Sequence, residues 1–141
     1  MIKMIIDANE MILGRIATKA AKAALLGEKV DIVNCENCVI TGNKAQVLAR
    51  YKQRRNLGTH STGPFYPRMP DRFVKRALRG MLPYKQPKGR DAFKRIICHI
   101  GIPDEFKDKK MESFKDAHIS KLPSNKFVPV KVICKFIGAK I

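Results

Sequence analysis

The chain has 141 residues, 45% of them hydrophobic, which suits one domain with a modest core that needs no disulfide or metal staple. Its 29 basic residues against 12 acidic ones leave a formal charge of +17, well past what solubility asks for, and point to a polyanionic partner. No apolar run is long enough to span a bilayer and the opening residues do not read as a secretory signal, so the four cysteines are expected to be reduced thiols of a cytoplasmic protein.

In chain order, Met4 to Asp7 reads as a strand, followed by a helix in "MILGRIATKAAKAALLGE". There Leu13, Ile16, Ala17, Ala20 and Ala24 recur at helical spacing, and Gly27 supplies the stop. "KVDIVN" is a second strand and "CVITG" a third after a short turn, and Lys44 to Arg55 forms a helix with Val47, Leu48 and Tyr51 on one face. Strand, helix and strand at this spacing predict a βαβ unit. From Leu57 to Met69, "LGTHSTGPFYPRM" is a long loop; a basic helix covers Asp71 to Leu82, with Asp71 as its cap and Pro83 after it. The turn "PYKQPKG", a short helix at "RDAFKR" and the strand "IICHI" follow. Beyond residue 105 the pattern weakens into what reads as a peripheral extension, 106–141. Within it "KFVPVKVICKFIGAKI" fits a strand or a helix, and Pro129 and Gly138 favour the helix. The fold class expected is α/β, a small, mostly parallel central sheet flanked by helices, with a long basic loop and a C-terminal extension, in a single domain whose core spans about residues 4–105.

The charge is regional. Residues 1–43 are neutral, residues 44–95 carry fifteen basic and two acidic groups, a net of +13, and residues 96–141 a net of +4. On a helical wheel of about 100° per residue, Arg72, Lys75, Arg76 and Arg79 fall in one arc, while Phe73, Val74, Ala77, Leu78 and Met81 lie opposite. Like charges at i, i+4 cost an isolated helix a few tenths of a kcal/mol per pair, so this stripe is best explained by an external counter-charge. A membrane is disfavoured, because the apolar side is needed for the core. The expected partner is RNA, met by Lys44, Arg50, Lys52, Arg54 and Arg55 before the loop, His60 and Arg68 in it, Arg72, Lys75, Arg76 and Arg79 on the helix, and Lys85, Lys88, Arg90, Lys94 and Arg95 after it. The loop aromatics Phe65 and Tyr66, with His60, can either stack on unpaired bases or anchor the loop to the core.

"RALRGMLPYKQPKGRDAFKRIICHIG" resembles the signature of the ribosomal protein L13 family of the large subunit, at Leu78, Arg79, Gly80, Met81, Leu82, Pro83, Gly89, Arg90, Ile96, Cys98 and Gly101. "DANEMILGRIATKAAKAALL" and "IVNCENCVITGNK" are similar to the family's opening and its paired strands, and "GPFYPRMPDRF" resembles the archaeal and eukaryotic branch. The likeness covers about residues 4–105 and departs at His99, where the family has Leu or an aromatic residue. It implies a structural role: binding large-subunit ribosomal RNA, touching neighbouring ribosomal proteins and supporting subunit assembly, with no cofactor and no small-molecule substrate. The alternative from another class is an RNA-processing enzyme, which would need His60 near Asp71.

Two sharper motifs carry little. Cys35-x-x-Cys38 lacks a second pair at zinc-site spacing and reads as small apolar packing. "VITGNKAQ" lacks the first glycine and the Ser/Thr of a nucleotide loop, although its helix N-terminus could hold an RNA phosphate.

Overall fold

Strand β1, Lys3–Asp7, opens the computed structural model, which describes residues 3–141. It pairs in parallel with β2, Lys29–Val33, which pairs in parallel with β4, Ile96–Cys98, so the central sheet runs β1-β2-β4. Helix α1, Leu13–Leu25, connects the first two strands. It buries Leu13, Ile16, Ala17, Ala20 and Ala24 as expected, and Ala21 and Ala23 as well. So many alanines let the helix approach the sheet closely. Its C-terminus closes with two bonds, from Gly27 N–H to the Ala24 carbonyl at 3.1 Å and from Glu28 N–H to the Ala23 carbonyl at 3.1 Å, a Schellman pattern.

The period-2 rule then divides the sheet between two faces. Ile6, Val30, Ile32 and Ile96 join the main core beneath the helices, whereas Ile5 and Val33 pack on Phe106 on the other side. Asp31 is buried on a strand between them, and both its oxygens are met: His99 Nε2 lies 3.0 Å from Oδ1 and Lys3 Nζ 3.2 Å from Oδ2. The departure at His99 is thereby explained. A buried carboxylate needs partners, and His99 is one of them while its ring packs edge-on against Phe106.

Strand β3, Val39–Thr41, does not join this sheet. It pairs antiparallel with β5, Phe127–Pro129, in a separate two-stranded ladder that matches Ile40 to Val128. Its partner arrives from nearly ninety residues later, a pairing that no local pattern announces. The C-terminal ambiguity resolves the same way, because both readings are partly right: β5 is a strand and α5, Val130–Phe136, a helix. Pro129, which lacks an N–H, marks the change.

The segment after residue 105 is less peripheral than expected. Ala117, Val128, Val130, Ile133 and Cys134 are all buried in the main core, and α5 packs against α2, Lys44–Asn56, and α3, Pro70–Gly80. Helix α4, Pro87–Arg95, starts three residues before the expected Arg90, because Pro87 occupies the first helical position, where its missing N–H costs nothing. The two helices meet at a tight corner. A Cβ on Gly89 would stand 2.0 Å from the Pro83 carbonyl oxygen, so only glycine allows α4 to begin this close.

Candidate nucleic-acid interface

Helix α3 divides as the wheel predicts, with one exception. Phe73, Val74 and Leu78 are buried; Lys75, Arg76 and Arg79 are half-exposed and Arg72 fully so. The exception is Met81, expected in the core but 42% exposed. The helix ends at Gly80, so the next residue no longer follows the wheel. Asp71 is not the cap either. Pro70 takes the first helical position and Met69 the N-cap, which leaves Asp71 in the first turn with its Oδ1 buried and without a protein partner. There its charge still faces the positive end of the helix dipole.

Three aromatic rings join the basic elements. Tyr51 of α2 lies 4.9 Å from Phe73 of α3 between ring centroids, and Tyr66 of the loop lies 5.9 Å from the first and 6.0 Å from the second. Burial holds the Tyr51 hydroxyl pKa above its ordinary value, with Tyr66 adding to the effect. The Arg54 guanidinium sits 5.4 Å from the Tyr51 ring and that of Arg76 5.6 Å from Tyr66. The two flank a groove of about 390 Å³ whose walls include Tyr51, Leu57, Tyr66 and Phe73. Farther along, Lys75 lies 4.8 Å from Phe93 of α4 and Arg79 5.1 Å from Tyr84 at the corner. In each pair the charged group itself stands over the ring, and none of these four basic residues is buried.

The ion pairs stand elsewhere. Among the described residues they involve Lys3, Lys19, Lys107, His99 and His118, and none uses any of the fifteen basic residues between 44 and 95. None of those fifteen is buried.

Not all of them are equally free. Arg55 donates from Nη1 to the Tyr66 carbonyl, which holds the loop to α2. Arg95 donates from Nη1 to the Ala24 carbonyl at 3.0 Å, at the negative end of α1. Both guanidinium groups are committed to the fold. Arg68 lies beside Gly138, so the loop also meets the C-terminal segment. Lys44 stands at the N-terminal end of α2, where Asn43 already caps the helix by accepting from Ala45 N–H at 3.2 Å. Lys85, Lys88, Arg90 and Lys94 are exposed on the corner and on α4, which packs against α1. His60 is exposed in the loop.

Sequence reasoning missed one contribution to this surface. Helix α5 packs beside α2, Lys52 reaches the Phe136 ring at 5.9 Å, and Lys131 and Lys135 are exposed on the same short helix. The signal was present: after Asp116 the chain holds five lysines and no acid.

The cysteines are packing residues. Cys35 and Cys38 are fully buried in a 3-10 turn, and the Cys35 thiol donates to the Ile32 carbonyl at 3.5 Å. Hydrogen bonding with Cys98, and then burial, push the Cys35 pKa far up; burial does the same for Cys38. Cys134 is pushed up to about 12, by burial and by the charge of Asp71. Such thiols stay protonated at neutral pH, where they neither attack nor bind metal readily.

Residues 2–105 match the family model described as ribosomal protein L13. Relatives extend the likeness to nearly the whole chain. The large ribosomal subunit protein uL13 of Methanococcoides burtonii is 45% identical over 136 residues, 96% of this chain and 98% of the relative. That of Methanosarcina barkeri is 42% identical over 96% of this chain and 98% of its own length, and that of Archaeoglobus fulgidus 41% over 95% and 86%. A signature helix with its glycine-locked corner, and identity sustained across both the core and the C-terminal segment, lead to one assignment: the chain belongs to the ribosomal protein L13 family, in its archaeal type.

Proposed function

We propose that the chain is a structural component of the large ribosomal subunit that holds ribosomal RNA against α2, the 57–69 loop, α3 and the α3–α4 corner. One observation carries the reading: of the fifteen basic residues between 44 and 95 none is buried, and none is paired with a carboxylate among the described residues. An RNA phosphate chain supplies the missing counter-charge, and arginine forks over aromatic rings suit its oxygens. Within this surface Arg50, Lys52, Arg54, Arg72, Lys75, Arg76 and Arg79 are the contact residues, with Lys44, Lys85, Lys88, Arg90 and Lys94 at its margins and Lys131 and Lys135 extending it. Arg55 and Arg95 hold the surface in shape. Neighbouring large-subunit proteins meet the less basic faces.

The enzyme alternative has no support from the histidines. His99 is engaged by Asp31, His118 lies 3.0 Å from the Ser120 hydroxyl and 3.5 Å from Glu10, and among the described residues no hydrogen bond or ion pair joins His60 to Asp71. The role is assembly and support. Sedimentation of the tagged protein with ribosomal subunits, followed by crosslink mapping, tests it. Crosslinks to ribosomal RNA should concentrate on residues 44–95 and on α5. Crosslinks confined to the sheet face around Phe106, or sedimentation apart from large subunits, would overturn the reading.

A further inference from the structure

The loop aromatics do different things. Tyr66 is the anchor, because its ring stands in the triangle with Tyr51 and Phe73. The adjacent Phe65 is turned out, 68% exposed. We infer that Phe65 is a stacking platform for one unpaired base of the bound RNA. The inference rests on the RNA reading above and gives that surface a contact that is not electrostatic.

Four observations support it. First, the ring is held in place from behind: a Cβ at Gly63 would stand 3.0 Å from its Cδ2 and Cε2 atoms, so one side leans on bare backbone and the rest is open. Second, the loop is closed by its own bonds, Gly63 N–H to the Thr59 carbonyl at 3.0 Å and Thr62 N–H to the Thr59 hydroxyl at 3.2 Å. Arg55 ties the residue after Phe65 to α2. A ring displayed this way pays little ordering entropy when something stacks on it.

Third, beside it lies a cleft of about 200 Å³, lined by Arg55, Leu57, His60, Pro64 and Phe65 among others. Pockets that enclose whole small molecules run to roughly 300–1,000 Å³, so this one suits a single flat ring entering edge-first. Fourth, the surroundings favour a nucleobase over a protein side chain. No acid occurs between Glu36 and Asp71, and Arg55, Thr59 and His60 share the cleft with the ring. A protein anchor would sit in an apolar patch that excludes water, whereas this cleft sets those three polar side chains beside Leu57, Pro64 and the ring. Every base has a π-face, so a platform of this kind takes a base of any identity.

The chain contains no tryptophan, so Phe65→Trp creates a unique reporter at the site. The full chain is titrated with a transcript of large-subunit ribosomal RNA, following indole fluorescence, alongside binding by Phe65→Leu across a salt series. Saturable quenching of the indole, with wild-type affinity, is expected. Phe65→Leu should lose roughly 5- to 150-fold in affinity, the range of one stacked base, with its salt slope unchanged. Unquenched indole together with undiminished Leu-variant affinity would overturn the stacking role, while a steep salt slope in the same titration would leave the RNA surface standing. If the wild type itself binds without steep salt dependence, the surface reading fails and takes this one with it. If Phe65→Leu impairs entry into subunits while RNA affinity is unaltered, the ring meets a protein and the inference is wrong.

Discussion

Replacing Arg72, Lys75, Arg76 and Arg79 together by glutamine removes four charges from one face of α3 while the buried face, Phe73, Val74 and Leu78, is untouched. Glutamine is as good a helix former as the residues it replaces, so the helix should persist. The fold loses three cation–ring contacts, to Phe93, Tyr66 and Tyr84, each worth about 0.5–1 kcal/mol at a partly exposed site. It regains a few tenths of a kcal/mol from each relieved like-charge pair along the helix. The net cost is about 1–2 kcal/mol, small enough for the variant to remain folded. The effect on binding is far larger. Each phosphate contact contributes about 0.9 to the slope of log affinity against log salt, so four of them contribute about 3–4. Between 50 and 200 mM salt the wild type should therefore lose roughly a hundredfold more affinity than the variant. Filter binding of a ribosomal RNA fragment across that range measures the two slopes, and circular dichroism checks the helix. Equal slopes with intact helix signal would show that α3 does not touch phosphate, and the assignment of this face would be wrong.

Other consequences are more local. Leu78→Asp should abolish folding, because it places a charge where Leu78 is fully buried, whereas Met81→Asp should change stability by less than about 0.5 kcal/mol, as measured by urea denaturation. Arg95→Ala should lower stability by about 1–2 kcal/mol through the lost bond to the Ala24 carbonyl and its place at the end of α1, while moving the salt slope less than any α3 arginine does. Cys35, Cys38 and Cys134 should resist iodoacetamide at pH 8 in the native protein and all react once it is unfolded. Their raised pKa values keep the thiolate scarce, and mass spectrometry of the alkylated chain reads the result.

The elements legible in the sequence were those whose signal is local. Helix α1 announces itself through alanines and isoleucine at helical spacing, and α3 through its two-faced wheel, because a helix is specified by residues three and four apart. What escaped depends on distant partners. Nothing within "CVITG" says that Ile40 will lie opposite Val128, and although Pro129 and Gly138 do point to the helix α5, nothing local says that Phe127–Pro129 will pair as a strand before it. Met81 was misplaced because a wheel extrapolates past the end of its helix. For the proposed interface, residue type and density nominate a region, but charge alone does not separate Arg55 and Arg95, which hold backbone carbonyls, from Arg72, which faces water. Nor could it separate Phe65 from Tyr66. That distinction rests on which of two adjacent rings reaches Tyr51 and Phe73, a fact of packing.

A surface of unpaired cations also sets folding against binding, and the two should respond to salt with opposite signs. In the free chain a net +13 within 52 residues repels itself, and the ion pairs that could offset this lie elsewhere. Those pairs weaken as salt rises, but Lys19–Asp116 and Lys107–Asp104 are largely exposed, and exposed pairs contribute little. Repulsion spread over fifteen charges is the greater term, and it falls as the Debye length shrinks from about 30 Å at 0.01 M to about 10 Å at 0.1 M. The melting temperature of the RNA-free protein should therefore rise by a few degrees over that range, while affinity for RNA drops steeply. The quadruple glutamine variant should show a smaller rise, since four of the repelling charges are gone. A melting temperature that stays flat or falls would mean that the cations are already compensated within the chain, and an external polyanion would no longer be needed to explain them.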